Sequence, residues 1–210
     1  MRDGLDLPAM SSPLPVGRAH LAALTEALVA LDADVGRIEA WGRHLAGVLT
    51  AGGRLLAAGN GGSAAQAQHL TSELVGRYRD ERTPFSALSL HAEASSVTAV
   101  ANDYGFAEVF ARQLRAHGRP GDVLVALSTS GRSTNVLAAV AAARQADMTV
   151  WALTGLGPNP LLARADDALA VPSTATATVQ EIHQVVVHLL CAAVDVAVGA
   201  SPAHLLEEAR

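Results

Sequence analysis

The segment Asp122-Val123-Leu124-Val125-Ala126-Leu127-Ser128-Thr129-Ser130-Gly131-Arg132-Ser133 runs from an apolar stretch of strand length into four hydroxyls and a glycine. Behind it, Val136, Ala139, Val140 and Ala143 recur at helical spacing. The hydroxyls therefore stand where a strand turns into a helix. There the free N–H groups and the positive end of the helix dipole favour an anion. Hydroxyls donate to phosphate oxygens, and Gly131 lets the backbone come close. The plainer reading is a Ser-rich helix cap; four hydroxyls in six residues favour a phosphate cradle.

A second junction of this kind lies upstream. Arg54-Leu55-Leu56-Ala57-Ala58 reads as a strand, Gly59-Asn60-Gly61-Gly62-Ser63 as a turn, and an Ala-rich helix follows. Gly59-x-Gly61-x-x-Ala64 also fits a loose dinucleotide fingerprint, which requires an acid at the tip of the next strand. Asp80 and Glu81 have the spacing but precede that strand, 85–90.

Working outward, the pattern alternates strand and helix. Strands are expected at 54–58, 85–90, 122–128, 148–153 and 167–171. Helices are expected at 63–76, 94–101, 107–117, 134–146, briefly near 159–164, and from about Val179 to Val198. Such alternation predicts an α/β fold with a central, mostly parallel sheet between helical layers. Residues 17–51 add an N-terminal helical extension in two pieces. One carries the stripe Leu21, Leu24, Leu28 and Leu31; the other carries Val35, Ile38, Trp41, Leu45 and Val48. Residues 1–16 read as a loose leader, 17–199 as a single domain and 200–210 as a polar tail.

Composition narrows the function classes. The chain has 210 residues, 50% hydrophobic and only 3% aromatic, so Ala, Val and Leu must fill the core, which suits close helix packing. A formal charge of −5 and the lack of a basic cluster argue against nucleic acid. The single cysteine, Cys191, excludes a disulfide framework and reads as buried and inert. No signal peptide opens the chain and no apolar run is read as a membrane span, so a cytoplasmic location is expected.

His69 and Glu73, spaced i to i+4, share one helix face a turn beyond the glycine loop. The closing helix carries Gln180, His183 and His188. A histidine beside a carboxylate with a second histidine nearby can shuttle protons or bind a divalent metal. Taken singly, each reads more readily as a solvated Glu or a structural His. His183 and His188 lie about 140° apart around the helix and cannot serve one site. Gln180 and His188 are separated by about 12 Å of rise and about 80°. For these two to converge, either Gln180 sits in an irregular helix start or one of them comes from a neighbouring subunit.

Taken in order, Gly59-Asn60-Gly61-Gly62-Ser63, Gln68-His69, Glu73 to Tyr78, Asn102-Asp103-Tyr104-Gly105-Phe106, Ser128 to Ser133, and Gln180-Glu181-x-His183 with His188 resemble the sugar-isomerase (SIS) fold. Within it they resemble the sedoheptulose 7-phosphate (phosphoheptose) isomerases, from about Gly53 to Val198. The resemblance implies conversion of sedoheptulose 7-phosphate to D-glycero-D-manno-heptose 7-phosphate through an enediolate. It implies Glu73 and His188 as the acid/base pair, and Ser128, Thr129, Ser130 and Ser133 on the phosphate. Asn60, Gly61, Gly62, Ser63, Asn102, Asp103 and Gln180 would hold the sugar with Glu73, and Arg77 would stabilise the enediolate. It further implies a zinc ion on His69, Glu73, Gln180 and His188, and a homo-oligomer, a tetramer, with sites at subunit interfaces.

Two departures stand out. Ala177-Thr178-Val179 replaces residues that are often polar in the family, and Arg132 stands where Asn is usual. Arg132 either adds a charge to the phosphate site or points to solvent. Two rival functions remain: a non-catalytic SIS protein that binds a replication initiator, and an isomerase of another sugar phosphate. Glu73 and His188 together argue against the first.

Overall fold

A computed structural model describes residues 15–200, so the expected leader and tail lie almost wholly outside the described residues. In chain order the elements are α1 (Val16–Leu31), α2 (Val35–Thr50), β1 (Leu55–Ala58), α3 (Gly62–Val75), β2 (Ala87–Ser89), α4 (Ala94–Tyr104), α5 (Val109–His117), β3 (Val123–Ser128), α6 (Thr134–Gln145), β4 (Thr149–Thr154), β5 (Asp167–Ala170) and α7 (Thr176–Val198). Short 3₁₀ turns, Asp32–Asp34 and Phe106–Glu108, lead into α2 and α5.

The five strands form one sheet in the order β2-β1-β3-β4-β5, and every pairing is parallel. Strand residues alternate between the two faces, and each face is covered by helices. Leu55, Ala57, Val123, Val125, Trp151 and Leu169 share a core with residues of α2, α3 and α7. Leu56, Ala58, Leu124, Ala126, Val150 and Ala152 share the other with residues of α5 and α6. Burial on both faces is what makes β1 and β3 continuously apolar. The expected three-layer α/β architecture is thus present.

The scarcity of aromatics is met by small residues at helix crossings. A Cβ on Gly42 of α2 would lie 2.3 Å from the Ala193 Cβ of α7, so the two helices touch almost backbone to backbone. The two tryptophans are used together: Trp41 stacks on Trp151 at 4.8 Å, and its Nε1–H donates to Asp167 Oδ2 at 2.7 Å. This pins α2 across β4 and β5.

Three expectations are corrected. The short helix near 159–164 is a series of turns. Asn159 Oδ1 accepts from the N–H groups of Leu161 and Leu162, and Leu161 N also donates to Gly131 O at 3.1 Å. The side chain and the neighbouring loop thus take donors that a helix would direct to its own carbonyls. The first N-terminal stripe is mostly open: Leu31 is buried, but Leu21 is 62% and Leu28 41% exposed. Finally, α7 is long and apolar enough by length and composition to cross a membrane. Its Val179, Ile182, Val186, Val187, Leu190 and Val194 are buried in the core, which makes it a core helix of the domain.

Candidate active site

The chain leaves β1 leftward to β2, then returns to place β3 on the other side of β1. This is the point in a parallel sheet where a crevice opens beyond the carboxyl ends of the strands. The glycine loop after β1 and the hydroxyl loop after β3 flank that crevice, as their sequences foretold.

The hydroxyl loop is tightly held. Ser128, buried at the end of β3, has its Oγ 3.0 Å from Ser133 Oγ. Gly131 has φ +61°, and its Cβ-less face rests on the Asn159 side chain; a Cβ there would lie 2.0 Å from Asn159 Oδ1. Gly131 N donates to Ser128 O, and Thr129 O accepts from Gly155 N. Ser133 caps the start of α6 without using its side chain on the helix. The first-turn N–H groups and four hydroxyls therefore gather at one helix end, an arrangement suited to a phosphate. Arg132 is exposed, with its N–H on Ser130 Oγ at 3.2 Å.

The glycine loop is equally specific. A Cβ on Gly59 would meet Ser63 O at 2.6 Å, and one on Gly62 would meet the Gln180 amide at 2.4 Å. Ser63 is 3% exposed and backs onto Gly59, so the structure does not offer it to the crevice as expected. The dinucleotide reading fails here as well. Asp80 and Glu81 precede β2, and the acid just past its tip, Glu93, caps α4 by accepting from Ser95 N and Ser96 N.

Along α3 and α7 the titratable groups meet. His69 Nε2 lies 3.0 Å from Glu73 Oε1 and 3.1 Å from His188 Nε2. Gln184 Nε2 lies 3.1 Å from His188 Nε2, and Tyr78 stacks on the His188 ring at 5.6 Å. All of these come from one protomer, so no neighbour is needed to unite Glu73 with His188. Gln184 was not anticipated, although its i to i+4 spacing from His188 was legible. Two imidazoles and a carboxylate suit zinc as a donor set. Their contacts run as a chain through His69, and among the described residues no group of three or more His, Cys, Asp or Glu side chains stands arranged around an ion.

Gln180 stands apart from that chain. The helix begins at Thr176, so Gln180 is in its regular body, not in an irregular start. Its side-chain amide lies against Gly62, and its main-chain carbonyl accepts from Gln66 Nε2. It belongs to the glycine loop, which suits a sugar contact better than a place beside His188. His183 faces elsewhere, as expected: it is fully buried, 3.3 Å from Thr154 O, and burial pushes its pKa down to about 4.

Two other expected contacts are not brought in. Arg77 lies past the end of α3, where Gly76 ends the helix; its guanidinium reaches Arg79 O and lies 3.9 Å from Glu81. Asn102 and Asp103 are exposed at the end of α4, where Asn102 donates to Asp103 at 2.8 Å. A residue that sequence reading missed holds the site from behind. Arg82, whose side chain is 3% exposed, donates to the carbonyls of Glu73 and Leu74 at the end of α3 and to Asp195 Oδ1 on α7. It therefore caps the helix that bears His69 and Glu73 and ties it to the helix that bears His188. Cys191, two-thirds of the way along α7, has its thiol pushed up by burial and by the charges of Glu73 and Asp195, which keeps it inert.

Comparison with known proteins agrees with this geometry. The SIS domain family matches residues 19–155. The chain is 65% identical over 178 residues to a phosphoheptose isomerase of Streptomyces coelicolor, covering 85% of this chain and 77% of that protein. Solved phosphoheptose isomerases from Neisseria gonorrhoeae and Francisella tularensis superpose with TM-scores of 0.79 and 0.82, at 40% and 35% identity. The first covers 86% of this chain and 97% of its own, the second 88% and 99%.

Proposed function

The chain belongs to the SIS domain family and, within it, to the phosphoheptose isomerases; on that premise we propose that it interconverts sedoheptulose 7-phosphate and D-glycero-D-manno-heptose 7-phosphate. The observation that carries the chemistry is the contact chain Glu73–His69–His188, beside a hydroxyl loop at a helix N-terminus. A scaffold that only bound another protein would have no use for that convergence.

In this reading the hydroxyls of Ser128, Thr129, Ser130 and Ser133 and the start of α6 hold the phosphate. Gly61, Gly62 and Gln180 line the sugar's path. Glu73, with its side chain 19% exposed, takes a proton from C1 of the ketose. His188 gives a proton to the C2 oxygen, which yields an enediol. His188 then removes the proton from the C1 hydroxyl and Glu73 returns its proton to C2, leaving the aldose. His69 holds the Glu73 carboxylate, and Tyr78 keeps the His188 ring in plane. His69, Glu73 and His188 are the donors offered to zinc; to hold it their present contact chain would have to open around the ion, which when bound would act as a Lewis acid on the substrate carbonyl.

The reading includes a homotetramer acting in the cytoplasm. Assembly is supported by the exposed Leu21, Leu28 and Val29 of α1 and by an apolar groove of about 380 Å³ between α2 and α7, lined by Ile38, Leu189, Ala193 and Val196. His20 of α1 pairs with Glu181 at 2.9 Å, beside Gln180, so a copy seated on α1 would border the site. Incubation of the purified protein with sedoheptulose 7-phosphate, with chromatographic and mass identification of the heptose phosphate, tests the activity. No product from folded protein would refute it.

A further inference from the structure

The amides of Asn60 and Asn135 meet face to face across the crevice. Asn60 Nδ2 donates to Asn135 Oδ1 at 2.9 Å, and Asn135 Nδ2 donates back to Asn60 Oδ1 at 2.9 Å. Asn135 Oδ1 also accepts from Val136 N at 2.9 Å, and the residue is 2% exposed. Asn60 belongs to the glycine loop after β1, whereas Asn135 stands in the first turn of α6, just past the hydroxyl loop. Each loop is braced on its outer side: the glycine loop by Ser63 and Gln180, the hydroxyl loop by Asn159 and Gly155. The paired amides join them on the inner side.

We infer that Asn135 is a positioning residue that clasps the glycine loop to the hydroxyl loop and so sets the span between the phosphate cradle and the reacting carbons. The inference rests on the isomerase reading of the site. Two parallel hydrogen bonds fix both distance and rotation, and an amide pair donates and accepts at both ends without needing to take up a proton. The pair spans the two neighbouring strands β1 and β3, between which the crevice opens. With Oδ1 and one N–H engaged, Asn60 keeps a single N–H for a sugar hydroxyl. Its main part is then to receive the clasp, not to bind. A ligand that touches only the hydroxyl loop is indifferent to the clasp; one that bridges both loops is not.

Calorimetric titration of wild type, Asn60→Ala, Asn135→Ala and the double variant with sedoheptulose 7-phosphate and, separately, with inorganic phosphate tests this. Asn135→Ala is expected to weaken apparent sugar-phosphate affinity about five- to thirtyfold and to leave phosphate affinity within about twofold. The double variant should bind no worse than the weaker single one, because each side chain acts through the other. If Asn135→Ala does not fold, Asn135→Asp replaces it; that side chain keeps its acceptor and loses one of the two cross-loop bonds. Losses that add, an unchanged sugar-phosphate affinity, or phosphate weakening in step would overturn the clasp. Turnover by wild type is scored separately, so an inactive protein with the clasp pattern intact faults the isomerase reading, and an active one without it faults the clasp.

Discussion

Ser128 and Ser133 illustrate how side chains at the crevice are committed before any ligand arrives. Their hydroxyls face each other at 3.0 Å, so a phosphate finds donors already gathered. Replacing either by Ala should raise KM for the sugar phosphate by the equivalent of about 1–2 kcal/mol, with kcat little changed, as read from steady-state kinetics. His183 is committed differently. Its pKa is lowered from 6.5 to about 4 by burial, so the unfolded chain binds a proton there that the folded chain refuses. Stability from this group is full above about pH 6.5 and is lost as pH falls toward about 4. Between pH 7 and 5 the urea midpoint of wild type should therefore fall more than that of His183→Gln. At this scale the sequence disclosed what lies close along the chain: the i to i+4 pair His69–Glu73, and the opposite facing of His183 and His188. It concealed Asn60–Asn135, 75 residues apart, because a lone Asn after a glycine or before a helix carries no sign of its partner.

Among the elements, α3 and α7 matter most, because the side chains proposed to react are divided between them. Arg82 binds the carbonyl end of α3 and the Asp195 carboxylate of α7, with both side chains almost wholly buried. Arg82→Ala would leave a buried carboxylate unpaired and the helix end uncapped. It should cost about 3–5 kcal/mol in chemical denaturation, and kcat should fall with it as Glu73 and His188 lose register. Periodicity made the strands and long helices legible, since burial on both faces leaves β1 and β3 unbroken in apolar character. The turns at 160–164 were misread as a helix because Asn159, a single side chain, decides where their N–H groups go. Arg77 was expected to stabilise the enediolate, but α3 ends at Val75 and the side chain turns toward Glu81.

The described residues leave apolar surface exposed on α1 and in the groove between α2 and α7. Sedimentation equilibrium should give a mass near four chains; a monomer at micromolar concentration would contradict the assembly. Mixed Glu73→Gln and His188→Ala oligomers should not regain activity, because the contact chain that joins the two residues lies within one protomer. The central claim is that Glu73 moves a carbon-bound proton of a seven-carbon sugar phosphate. It is tested most directly by following sedoheptulose 7-phosphate with wild type and Glu73→Gln in deuterium oxide by NMR. Wild type should yield the aldose phosphate, with deuterium entering C2 in the fraction of turnovers in which the Glu73 proton exchanges with solvent before its return, and Glu73→Gln should be slower by roughly two to four decades while still binding substrate. Turnover by folded Glu73→Gln at the wild-type rate, or no aldose from wild type, would contradict the account.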